Sequence, residues 1–302
     1  MQNFGKVAVL MGGFSSERNV SLDSGAAIVA ALKGRGVDAH AFDPKETPLA
    51  DLKTQGFQTA FNILHGTYGE DGAVQGTLEL LGIPYTGSGV AASAIGMDKY
   101  RCKLIWQALG LPVPEFAVLR EDTDFEAVEK RLGLPMFVKP ANEGSSVGVV
   151  KVKEKGRLKD VYAELKHMKE IIAERFIGGG EYSCPVLGGC GLPSILIVPA
   201  TEFYDYEAKY NRDDTVYRCP SDLNAADEEL MRELAVRGAQ AIGAEGCVRV
   251  DFLKDLDGKL YLLEINTLPG MTSHSLVPKS AAQIGMDFPD LCIEILKTAH
   301  VG

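Results

Sequence analysis

The sequence predicts an α/β chain, α+β overall, built as three units in series. Short apolar runs of strand length alternate with amphipathic stretches of helix length, the pattern of layered strands and helices. Glycine-rich breaks fall between them, at Gly12-Gly13, at 143–148 and at Gly178–Gly180, where the chain must turn or change layer. Size agrees: at about 100–200 residues per domain, 302 residues make two or three domains.

The first unit spans 1–96 and reads as a doubly wound α/β domain. Lys6–Met11 is an apolar strand, Gly12-Gly13 end it, and Ser15-Ser16-Glu17 lead a helix to about Leu32. Ala39–Phe42 and Ala60–Leu64 are strands, Val74–Leu81 is a helix, and Pro84–Gly89 is a turn-rich loop. The second unit, 97–180, opens with the helix Asp98–Leu109. Strands Met136–Lys139 and Val147–Val152 flank the loop NEGSS; helix Leu158–Leu165 and strand Glu170–Glu174 follow, and Gly178–Gly180 form a hinge or hairpin turn. The third unit, 181–302, contains a strand at Ile195–Pro199, the polar aromatic stretch Phe203–Pro220 and a helix from Ala226 to Ile242. Strands Val248–Leu253 and Leu260–Asn266 and the amphipathic helix Phe288–Leu296 complete it. No internal repeat and no low-complexity segment is visible.

Composition narrows the function. Thirty-one basic against 41 acidic residues give a net charge of −10, which argues against a general nucleic-acid binder. It leaves room for one small polyanion in a local basic pocket. An apolar fraction of 46% supports a buried core. The longest apolar runs, such as Ala26–Leu32 and Ile195–Pro199, fall far short of the ~18 residues that span a bilayer, so no membrane partner is expected. No secretory signal opens the sequence, and the six cysteines form no CxxC pair. The expectation is a cytoplasmic protein with reduced thiols; the even count leaves a disulfide set as the alternative.

The segment VRVDFLKDLDGKLYLLEIN, 248–266, carries the strongest chemistry. Two strands flank Asp257-Gly258, a dipeptide favoured in two-residue hairpin turns. That turn places Leu256 opposite Lys259, hence Asp251 opposite Glu264 and Arg249 opposite Asn266, all on one face. Val250, Phe252, Leu263 and Ile265 then face the core. Directly opposed carboxylates repel unless something bridges them. Two carboxylates and an amide oxygen are hard ligands suited to Mg2+ or Mn2+, which recruit phosphates to complete their shell. A solvated face that happens to carry acids is the plain alternative.

Four further segments bear on function. The loop EGSSVGV, 143–149, follows Lys139 and can present backbone N–H groups to phosphates as a lid, with Lys139 as a point charge. GGFSSER, 12–18, puts a helix N-terminus after the first strand, although without GxGxxG spacing. YDYEAKYN, 204–211, suits a loop closing over a charged ligand. In NTLPGMTSHSL, 266–276, the Gly270 N–H can serve an oxyanion, and Ser275-Leu276 can open a helix that receives a carboxylate. Each has a plain reading as an ordinary turn, cap or surface loop.

Taken in order, LMGGFSSER (10–18), LHGTYGEDG (64–72), PYTGSG (84–89), MDK (97–99), EGSSVGV, YDYEAKY and EINTLPGMTSHSL resemble the D-alanine–D-alanine ligase family of the ATP-grasp superfamily. The likeness runs from residue 10 to 278. It implies ATP-dependent joining of two D-alanines through an acyl phosphate, for peptidoglycan synthesis. It also implies an ATP-grasp fold: an N-terminal α/β domain, a central glycine-loop domain and a C-terminal metal domain, with ATP between two sheets.

The resemblance assigns roles residue by residue. Lys99 and Lys139 would contact ATP phosphates beneath a loop containing Ser145 and Ser146, and Lys209 would reach the γ-phosphate. Glu174 and Ile177 would line the adenine pocket, and Glu181 would hold the ribose; Arg175 and Phe176 stand where the family pattern has Lys and an aromatic. Asp251, Glu264 and Asn266 would bind two Mg2+ ions, which Mn2+ can replace. Glu17 and His65 would engage the first D-alanine, with Ser145 and Tyr210 bonded to Glu17. Arg249 and the Gly270 N–H would stabilise oxyanion charge, and Ser275 with Leu276 would bind the second carboxylate. A homodimer through the N-terminal unit is implied as well. Joining D-alanine to D-lactate is the sibling activity, against which Tyr210 argues. A non-catalytic nucleotide-binding regulator is the third reading; it would lack Asp251, Glu264, Asn266 or Arg249.

Overall fold

Three sheets follow one another along the chain in the computed structural model, which describes residues 3–144, 147–199 and 215–301. The first is parallel and ordered β2-β1-β3, from β1 (Val7–Leu10), β2 (Ala39–Phe42) and β3 (Thr59–Asn62). Parallel neighbours need crossovers. Helices α1 (Arg18–Gly34) and α2 (Asp51–Thr54) provide them. Every residue of β1 is buried, which is why VAVL is apolar without alternation. Helices α3 (Ala73–Leu81) and α4 (Val90–Gly96) follow.

The second sheet is antiparallel, β4-β7-β5-β6, from β4 (Phe116–Leu119), β5 (Met136–Pro140), β6 (Val150–Val152) and β7 (Ile171–Arg175). Helix α5 (Lys99–Ala108) precedes it, and α6 (Phe125–Leu132) and α7 (Leu158–Leu165) cover it, burying Leu132, Leu158 and Val161 against Met136 and Val138.

The third sheet runs β11-β10-β8-β12-β13, with β9 beside β8. Its strands are β8 (Gly180–Leu187), β9 (Cys190–Gly191), β10 (Ile195–Val198), β11 (Val216–Arg218), β12 (Cys247–Lys254) and β13 (Leu260–Asn266). Helix α8 (Ala225–Ala241) packs on it together with α5, whose Trp106 lies among Met231, Phe252 and Leu262 and donates its indole N–H to the Gly238 carbonyl at 2.8 Å. Helix α9 (Leu276–Gln283) precedes α10 (Phe288–Lys297), which returns to the first sheet and buries Leu291 and Leu296 against Val9, Ile28 and Leu32.

The elements expected from the sequence are present, most with shifts of a residue or two at their ends; the strand expected over Val147–Val152 is shorter and begins only at Val150. Strands β4, β8, β9 and β11 and helices α2, α4 and α6 are elements that the sequence reading did not single out. The glycine run 178–180 is not a hairpin turn. It leads from the second sheet into β8, and Gly179 passes so close to β12 that a Cβ would lie 2.4 Å from the Asp255 carbonyl oxygen.

Candidate active site

The β12–β13 hairpin places the acids as the alternation requires: Asp251 pairs with Glu264 and Arg249 with Asn266. The turn differs from expectation. Asp255 pairs with Lys259 through a backbone bond of 2.9 Å, so the loop holds three residues, 256–258, with Gly258 at φ 89°. A type I turn closed by a left-handed residue has this form. The longer turn shifts the near end of the ladder, where Phe252 pairs with Leu262 rather than Leu263. Leu262 is fully buried and Leu263 is not. Leu263 is thus the extra residue of a β-bulge, and the bulge restores the register at the acids.

Neighbouring elements orient both carboxylates. Asp251, 5% exposed, accepts from Ser183 Oγ of β8 at 2.7 Å and from Arg249 at 2.9 Å (Nε) and 2.8 Å (Nη2). Glu264 Oε2 lies 3.4 Å from Lys99 Nζ, which donates to the Glu143 carbonyl at 2.7 Å. Asn266 Oδ1 accepts the Leu268 N–H at 2.9 Å. Among the described residues no group of three or more His, Cys, Asp and Glu is placed to hold a metal. Two opposed carboxylates and an amide oxygen nevertheless form a hard donor set that fits Mg2+ if phosphate or water oxygens complete the shell.

The second sheet supplies a buried cluster. Glu174 on β7 meets Lys103 Nζ at 2.8 Å through Oε1 and Lys139 Nζ at 2.6 Å through Oε2. Lys103, on α5, is fully buried and also donates to the Leu263 carbonyl at 2.7 Å. Burial opposes the charge on Glu174, but the two ammonium groups overcome it and hold the carboxyl below its usual range. Burial moves the Lys103 ammonium the other way, lowering it despite Glu174. Phe176 sits beside Phe137 with Lys151 Nζ 4.2 Å from its ring centre, and Ile177 lies just beyond β7. Glu181 lies in β8 opposite Ile197 and Leu253.

At the first sheet, Glu17 stands at the N-cap position of α1, and its Oε2 lies so near Gly66 that a Cβ there would be 3.1 Å away. The glycine is needed: it also holds φ at 71°. Ser15 Oγ donates to the His65 carbonyl at 2.6 Å, drawing the loops carrying Glu17 and His65 together. The His65 ring is buried with Nδ1 3.0 Å from Glu70 Oε1, and its Nε2 has no hydrogen-bond partner among the described residues. Burial raises the Glu70 carboxyl above its usual value, against the pull of His65. His65 also lines a cavity of about 360 Å3 with Gly12, Gly13 and Tyr68. Ser275 stands at the N-cap position of α9 and lies beside Gly270, while the Leu276 side chain packs against Ile195 and Ile197. Leu276 therefore offers a ligand its backbone N–H.

Ser145, Ser146, Lys209 and Tyr210 lie outside the described residues. The structure brings the Glu17 carboxylate beside Gly66, the residue after His65, and Lys99 to Glu264 and Lys139 to Glu174. Lys103 and Ser183 were missed in the sequence. Lys103 had a signal, a lysine among the buried residues of α5 one turn from Trp106; a lone Ser183 had none.

This arrangement defines an ATP-dependent ligase of the ATP-grasp fold. Comparison with known proteins narrows the class. The chain matches the family models described as D-ala D-ala ligase N-terminus, over residues 38–88, and D-ala D-ala ligase C-terminus, over residues 105–297. It is 86% identical to the D-alanine–D-alanine ligase of Neisseria meningitidis serogroup B, with all of both chains covered. Among solved structures, the Bacillus anthracis D-alanine–D-alanine ligase complexed with ATP matches with a TM-score of 0.83 at 35% identity, covering 97% of each chain. The VanG D-Ala:D-Ser ligase of Enterococcus faecalis matches with a TM-score of 0.84 at 30% identity, over 98% of this chain and 99% of that one. The chain belongs to the D-alanine–D-alanine ligase family.

Proposed function

We propose that the chain joins two D-alanines to D-alanyl-D-alanine at the expense of ATP, supplying the dipeptide for peptidoglycan synthesis. Within a family established over the full chain, the observation that carries the reading is the hairpin face of Asp251, Glu264, Asn266 and Arg249 with Lys99 against it.

Asp251, Glu264 and Asn266 would hold two Mg2+ ions, replaceable by Mn2+. Such ions, when bound, offset charge on the transferring phosphoryl group. Lys99 and Lys139 meet the phosphates, Ser146 and its loop cover them, and Lys209 reaches the γ-phosphate. Ile177 and Glu174 line the adenine side, Glu174 also serving through the lysines it holds, and Glu181 takes the ribose. Glu17 receives the ammonium of the first D-alanine, and the family resemblance implies that Ser145 and Tyr210, which lie outside the described residues, would bond to it. His65 offers the same substrate its Nε2, which has no partner among the described residues.

The chemistry follows from these positions. The first carboxylate attacks the γ-phosphorus, the bond to ADP breaks, and an acyl phosphate forms. The ammonium of the second D-alanine gives up a proton and its amine attacks the acyl carbon; Arg249 and the Gly270 N–H take the oxyanion, and collapse expels phosphate as the nitrogen loses its second proton. Ser275 and the Leu276 N–H hold the second carboxylate. An acyl phosphate hydrolyses in water, so covering loops have a chemical purpose.

The three sheets, drawn from residues 7–62, 116–175 and 180–266, support division into 1–96, 97–180 and 181–302. A homodimer through the N-terminal unit and a cytoplasmic location complete the reading; among the described residues no helix is long and apolar enough to cross a membrane.

A D-Ala:D-Ser ligase shares the fold over 98% of the chain, so the fold does not choose the second substrate. Coupled ADP release with D-alanine alone, or with D-serine or D-lactate added, followed by product mass, makes the choice. D-Alanine alone should sustain release and yield the dipeptide. Release that requires either other partner overturns the reading.

A further inference from the structure

We propose that Lys103 is a positioning residue that holds the phosphate lysine Lys139 and the acidic strand β13 in one frame. The proposal rests on the roles of Lys139 and Glu264 given above. A buried ammonium is costly unless it is fully bonded. Lys103 is completely buried and its ammonium reaches two sheets: it forms an ion pair with Glu174 Oε1 on β7 at 2.8 Å and donates to the Leu263 carbonyl on β13 at 2.7 Å. Leu263 is the bulge residue without a ladder partner, directly before Glu264. The other oxygen of Glu174 holds Lys139 at 2.6 Å. A continuous chain of contacts therefore runs from the metal strand through Lys103 and Glu174 to Lys139.

Charge gives the chain a purpose. Two ammonium groups share one carboxylate, leaving the cluster one positive charge in excess, suited to a polyphosphate. Without Lys103, Glu174 would be neutralised by Lys139 alone and would draw it away from the phosphates. Lys103 thus acts through Glu174 rather than on substrate.

The test is a double-mutant cycle in the full-length protein, reading ATP affinity by calorimetry in EDTA, with KM for ATP and for the first D-alanine and thermal unfolding as companions. Lys103→Met should weaken ATP binding about tenfold, as loss of a supporting partner does, and leave the KM for the first D-alanine unchanged. In a Glu174→Gln background the same change should shift ATP affinity by less than about twofold, because the route is already cut. A purely structural role would weaken both backgrounds alike. Wild-type ATP affinity in Lys103→Met, or a tenfold loss in the Glu174→Gln background, overturns the proposal. If Lys103→Met alone does not fold, Glu174→Gln against Lys103→Met/Glu174→Gln still decides. Lys139→Met is the control: unchanged ATP affinity there overturns the phosphate-site reading itself.

Discussion

Asp251 and Glu264 face each other across a ladder, and each is steadied by a cation, Arg249 or Lys99. Opposed carboxylates of this kind are expected to couple strongly to Mg2+. Asp251→Asn and Glu264→Gln should each lower turnover at limiting Mg2+ by more than about a hundredfold, the upper end of what loss of a supporting partner causes. Circular dichroism should remain that of the folded protein, and loss of Mn2+ binding by electron paramagnetic resonance should accompany the lost turnover. These residues were legible in the sequence because strand alternation fixes faces without any knowledge of the neighbours. Ser183 was not: it donates to Asp251 from 68 positions away, and only the β8–β12 pairing brings it there.

Among the elements, the loop between β1 and α1 depends on a residue of another strand's end. Asp43 Oδ1 accepts the N–H groups of Gly13 at 3.0 Å and Lys45 at 2.9 Å, and Oδ2 pairs with Arg18 at 2.6 Å. Arg18 in turn donates to the Gly13 carbonyl at 2.9 Å. Burial pushes the Asp43 carboxyl up, but Arg18 and the two N–H groups outweigh it and set it below its usual value. A carboxylate depressed on folding contributes stability above its unfolded pKa, lost as pH falls through the lower folded value. Urea unfolding should therefore show Asp43→Asn less stable than the parent at pH 7, with the gap narrowing below about pH 4, the unperturbed carboxylate range. A gap that is constant with pH would remove the ionised carboxylate from this role. The hairpin shows how far elements could be read. The three-residue turn and the bulge at Leu263 each displace the ladder by one residue, and their effects cancel at the acids. Period-two reasoning was therefore right at Asp251 and Glu264 and wrong at Leu262 and Leu263.

At the scale of the whole molecule, the last helix returns to the first sheet, with Leu291 and Leu296 buried against α1 and β1. His300 extends that closure by pairing with Tyr85 at the edge of the same sheet. Leu291→Ala should cost about 2–5 kcal/mol, the range for emptying a buried leucine site. Calorimetry should record a drop of several degrees in Tm or more, and an unchanged Tm would mean that α10 does not strap the first layer. Local pattern determined most of the longer strands and helices, the glycine breaks and the shared face of Asp251 and Glu264, because alternation and helical periodicity act over a few residues. The ordered motifs pointed to the ligase family for the same reason: each segment carries its own chemistry. Tertiary structure alone decided that α10 closes the first layer, that the glycine run at 178–180 crosses between sheets, and that Lys103 links Glu174 to Leu263. Those outcomes depend on burying side chains distant in sequence against one another, and no local period encodes which of them will meet.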